Sequence, residues 1–205
     1  MPWVAWLALV GTLAIAGLPP LNGFVSEWLL LQAFLFTPSL PQSFVNMLVP
    51  LAAAALVLSA ALAAYVMVKF YGIIFLGQPR EANLAYAKDA GPFERAALVW
   101  LAAGCVLLGV LPVNVIALID PVNVLLIGSK ATHQIADHWL LLAPINADRS
   151  SYSPLIVLAV IVGAVLLTIQ IVHRFYHGRV RRAPPWDCGF ALQTPRMQDT
   201  AEGFG

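Results

Sequence analysis

Ala16-Gly17-Leu18-Pro19-Pro20-Leu21-Asn22-Gly23-Phe24-Val25-Ser26-Glu27-Trp28 lies inside an apolar run that extends from Trp3 to Phe36. Two adjacent prolines cannot continue a regular helix, because each lacks the amide donor and clashes with the preceding turn. Gly17 and Gly23 loosen the backbone on either side. The run is too long for one straight span, which takes about 20 residues, and too short for two spans with a loop between them. The sequence therefore predicts two half-helices, Trp3 to Leu18 and Asn22 or Gly23 to Phe36. The helix break falls at 19–23, with Gly17, Pro19, Pro20, Asn22 and Gly23 as its residues and Asn22 as N-cap of the second half.

Glu27 follows the break with apolar residues around it. A carboxylate near the middle of a bilayer costs roughly 2.5–3.5 kcal/mol, so it must be paired, hydrated or protonated. Non-helical backbone at that depth survives only when it is buried in protein or lines a wet cavity.

Composition sets the wider frame. Of 205 residues, 60% are hydrophobic and 10% charged, whereas soluble domains carry about 25% charged residues. The predicted fold class is all-α integral membrane. It has about four transmembrane units, the first of them discontinuous, together with an interfacial helix segment and a cytoplasmic tail. The second span is read at 46–76, the third at 96–119 and the fourth at 154–173. Ser59, Ala60, Ala63 and Ala64 give the second span a small-residue face that suits either close helix packing or lipid. Asp120-Pro121 reads as a helix terminator. Residues 120–153 are read as an outer-side loop with interfacial helix and Trp139 as an anchor. The resulting segments are 1–119, 120–153, 154–174 and 175–205.

Basic residues set orientation. Loop 37–45 has none, loop 77–95 has Arg80, Lys88 and Arg95, and the last span is followed by Arg174, Arg179, Arg181 and Arg182. Both chain termini are expected on the cytoplasmic side of a prokaryotic inner membrane. The arginines suit topology and lipid phosphates better than nucleic acid.

The remaining chemistry is sparse. Cys105 and Cys188 lie far apart with no CxxC pair, so no iron–sulfur ligation is expected. His133 and His138 do not share a helix face. His173 and His177 do, but without a third ligand. No cofactor or metal site is predicted, and no phosphate loop or dinucleotide fingerprint is present. Lys69, near the end of the second span, fits either a hydrated path or a side chain snorkelling to the inner surface. Burial favours neutral Glu27 while the half-helix dipole favours its anion, which puts both protonation states within reach. Glu27 and Lys69 are thus the candidate proton-transfer residues, and a structural acid bonded to a neighbouring helix is the alternative for Glu27.

The stretch from Gly17 to Leu29 resembles the broken twelfth helix of the antiporter-like proton-translocating subunits found in complex I, Mrp antiporters and membrane-bound hydrogenases. Pro184-Pro185-Trp186-Asp187-Cys188-Gly189-Phe190 and Pro195-Arg196-Met197-Gln198-Asp199-Thr200-Ala201 resemble the hydrogenase-4 component B and formate hydrogenlyase subunit 3 branch. The resemblance covers essentially the whole chain. It implies that Glu27 occupies the position of the last protonatable group before the outer exit. It also implies proton or sodium translocation coupled to electron transfer, with redox centres on other subunits and no catalysis by the chain alone. The implied partners are the other membrane and peripheral subunits of a hydrogenase-type complex, and membrane lipid. A complete family member is much longer, so the chain is expected to be the carboxyl-terminal part of such a subunit. A small four-span scaffold or assembly subunit without transport is the alternative from a different class.

Overall fold

A computed structural model describes residues 1–35, 41–79, 81–128, 152–176 and 194–197. Six α-helices occur among them: α1 (Pro2–Ile15), α2 (Asn22–Leu35), α3 (Ser43–Tyr71), α4 (Pro92–Val110), α5 (Pro112–Ile127) and α6 (Pro154–Tyr176). The chain is all-α and membrane-spanning in character. Among the described residues, three helical stretches are long and apolar enough to cross a bilayer: Ser43–Leu76, Pro92–Val110 and Pro154–Phe175. The fourth unit is the pair α1 and α2. Each has 14 residues, about 21 Å at 1.5 Å per residue, too short to cross alone.

The interruption lies at residues 16–21, slightly earlier than the predicted 19–23, and Asn22 and Gly23 open α2. The shift has a local cause. Gly17 takes a left-handed φ of +67°, a conformation that ends helices and suits glycine. The helix therefore stops before the prolines rather than at them.

α3 and α4 each pack against both halves of the broken unit. The inward side of α3 is a helical stripe of half-buried residues, Ala53, Leu56, Ala60, Ala63, Ala64 and Met67. Small side chains there let the neighbouring backbones approach. Ser59, grouped with that face in the sequence reading, is exposed. A π-turn over Gly72–Leu76 extends α3.

α1 and α4 begin at the same end of the bundle. The Trp3 and Val4 amides at the start of α1 donate to the Asp89 carboxylate, at 2.9 and 3.4 Å. Asp89 lies just ahead of α4, and the Arg95 guanidinium stands 5.6 Å above the Trp3 ring, a cation–π geometry. Arg95 also comes within 4.0 Å of Asp89.

The third predicted span needs correction. Residues 96–119 are not one helix: α4 ends at Val110 and α5 starts at Pro112. Pro112 cannot donate and disfavours helical geometry at Leu111, whose φ and ψ are −116° and 46°. Asp120-Pro121 does not terminate a helix either. α5 runs through Pro121 to Ile127 and ends at Gly128 with φ +74°. Neighbouring groups compensate an internal proline in such helices. The predicted boundary at 119/120 thus falls inside α5. Residues 120–127 are helical, and the interfacial segment with Lys130, His133, His138 and Trp139 lies outside the described residues. So do His177, Arg179, Arg181, Arg182 and most of the tail.

Candidate functional site: a carboxylate at a broken helix

The site begins with how α1 ends. The Leu18 amide donates to the Leu13 carbonyl (3.1 Å) and the Gly17 amide to the Ala14 carbonyl (3.2 Å). This paired closure around a left-handed glycine satisfies carbonyls that the helix end would otherwise orphan. The chain then turns over Pro19 and Pro20, joined by a cis peptide, and the Leu21 amide closes the turn on the Leu18 carbonyl at 3.0 Å.

Gly17 has a second role. A Cβ built on it would collide with the Glu27 carboxylate, lying 3.1 Å from Cδ and 3.3 Å from Oε1. Glu27 is the sixth residue of α2, is half-buried, and folds back over the break. The carboxylate occupies the space that the missing side chain of Gly17 leaves. Among the described residues no ion pair joins Glu27 to Lys69. Lys69 stands in the last turn of α3, half-buried.

Two further glycines define the walls. A Cβ on Gly23 would run into the Ala14 carbonyl oxygen, so the first turn of α2 sits directly against the last turn of α1. A Cβ on Gly109 would run into the Pro20 carbonyl oxygen and lie 2.7 Å from the Asn22 nitrogen. The end of α4 is therefore level with the break and touches its backbone. Sequence reading singled out Gly17 and Gly23 but missed Gly109. Its only signal was a glycine in an apolar run just ahead of Pro112.

Asn22 does not act as the predicted cap. It is the first residue of α2, and its side-chain oxygen is buried without a hydrogen-bond partner. Ser26 bonds within the helix, its hydroxyl donating to the Gly23 carbonyl at 2.8 Å. Above the site, Val25, Phe24 and Trp28 of α2 pack with Val113 and Ile116 of α5, Val157 of α6 and Tyr152. Asp120, read from sequence as part of a terminator, is a buried carboxyl, 6% exposed, that accepts from the Asn123 amide at 3.5 Å.

No protein-family model matches the chain. Over 108 residues, 53% of this chain, it is 38% identical to hydrogenase-4 component B of Escherichia coli (strain K12), covering 16% of that protein. Over 111 residues, 54% of this chain, it is 43% identical to formate hydrogenlyase subunit 3 of the same strain, covering 18% of it. An uncharacterized protein of Mycobacterium tuberculosis (strain ATCC 25618 / H37Rv) is 31% identical over 197 residues, 95% of this chain and 30% of that protein. The chain thus spans less than a third of the length of each. The likeness to the two Escherichia coli proteins extends over about half of the chain, less than the near-complete coverage read from both ends of the sequence. Over that half, the chain is a homologue of hydrogenase-4 component B and formate hydrogenlyase subunit 3.

Proposed function

We propose that the chain is the carboxyl-terminal part of a proton- or sodium-translocating membrane subunit of a hydrogenase-type complex, and that Glu27 is its ion-exchanging group. One observation carries the reading: the Glu27 carboxylate rests on Gly17, at a backbone interruption between two half-helices. A helix broken beside an acid is the arrangement that ion carriers use near the membrane midplane. Glu27 stands half-buried in the second turn of α2. The group can then take a proton from one side and release it to the other as its surroundings alternate. Electron transfer belongs to other subunits in this reading, and the chain anchors and couples. The helix endings at the Asp89 side, near the basic loop, face the cytoplasm by the positive-inside rule.

The test is Glu27→Gln in the full-length subunit of the assembled complex, reconstituted in vesicles with proton uptake followed by a pH-sensitive dye. Uptake per electron transferred falls at least about 100-fold, the scale of a lost proton-transfer group. Unchanged uptake would reduce the chain to an anchor.

A further inference from the structure

Tyr152 precedes α6 and is only 8% exposed. Its ring packs against Phe24 at 5.0 Å and Trp28 at 5.7 Å between centroids, the two residues that bracket Glu27 on α2. Val113 and Ile116 of α5 join the same cluster. The Tyr152 hydroxyl oxygen is buried and has no hydrogen-bond partner. A buried hydroxyl left unbonded costs about 1–3 kcal/mol, a penalty that phenylalanine would avoid in the same packing. A polar partner or internal water accounts for tyrosine here.

Asp120 continues the line. It follows Ile116 by one turn, and positions 113, 116 and 120 share a helical face. That face is turned inward, as the 6% exposure of Asp120 shows. Tyr152 therefore stands between the helix carrying Glu27 and the inward face of the helix carrying Asp120.

We propose that the Tyr152 hydroxyl and the Asp120 carboxyl form one leg of a hydrated proton path that starts at Glu27. This rests on the reading of Glu27 as the exchanging group. A proton released by Glu27 reaches Tyr152 Oη through water. As Oη gains that proton, its own passes on toward Asp120, directly or through a further water. One O–H bond forms as another breaks, and the tyrosine ends neutral.

The experiment compares Tyr152→Phe, Asp120→Asn, Asp120→Glu and Glu27→Gln in the assembled complex, measuring protons taken up per electron transferred. Tyr152→Phe keeps the ring packing, and it lowers the ratio about tenfold or more while the complex assembles and turns over. Asp120→Asn does the same, the double variant is no worse than either single one, and Asp120→Glu restores the ratio. A wild-type ratio in Tyr152→Phe alongside a collapsed ratio in Glu27→Gln overturns this leg and leaves the Glu27 reading standing. A wild-type ratio in Glu27→Gln overturns both. Should Tyr152→Phe fail to assemble, a wild-type ratio in Asp120→Asn overturns the leg by itself.

Discussion

Two helix interruptions at prolines among the described residues differ. Between α1 and α2 six residues separate the helix ends, with a left-handed glycine, a closed turn and a carboxylate folded over the gap. Between α4 and α5 a single residue, Leu111, separates them. A proline alone redirects a helix. A site needs glycine as well, because only the missing Cβ makes room for another group against the backbone. The last turn of α4, at Gly109, also lies against the backbone of the first interruption.

The largest effect that separates them is expected from Gly17→Ala. The substitution places a side chain at positive φ, costing about 1–3 kcal/mol, and drives it into the Glu27 carboxylate. Ion uptake by the assembled complex should be lost, while Pro112→Ala at the other interruption leaves it intact. Loss in both variants would mean that the interruptions are equivalent, contrary to the contrast drawn from their geometry.

Gly109 and Gly104 sharpen the point within one helix. A Cβ on Gly104 meets nothing within 4 Å, whereas on Gly109 it meets the backbone of the break. Gly109→Ala should destabilise by about 1–3 kcal/mol, as overpacking does. Gly104→Ala should stabilise by up to about 1 kcal/mol through helix propensity. Thermal unfolding in detergent, followed by tryptophan fluorescence, reads both.

The smallest effect lies at the far end of the same helices. Partial burial by itself would raise the pKa of Asp89. The amides of Trp3, Ala90 and Val4 and the Arg95 guanidinium outweigh that and hold it below the ordinary 3.8. A carboxyl depressed on folding adds stability at neutral pH and loses it as pH falls through the folded value. The melting temperature should therefore drop at pH below 3.8 in the wild type and less steeply in Asp89→Asn. Identical acid profiles would show that this latch contributes nothing, leaving the breaks to organise the bundle alone.

The broken first unit was legible because its causes are local. Paired prolines, a glycine and one acid in an apolar run restrict the backbone whatever surrounds them. The second interruption is less legible although Pro112 is equally local, because the run from 96 to 119 has the length of a single span. Asp120-Pro121 is the opposite case: α5 runs through the proline to Ile127, although a proline at that place commonly ends a helix.

What the sequence determined by itself is the medium and the punctuation: apolar spans, the place where the first one breaks, and an acid beside it. Tertiary structure alone decided what meets the break. Gly109 and Pro20, Asp89 and Trp3, and Tyr152 and Phe24 are far apart along the chain, and no local propensity encodes their meeting. Backbone sterics act over a few residues, so they can be read in order. Close packing acts across helices, so Glu27 gained its neighbours only when the helices came together.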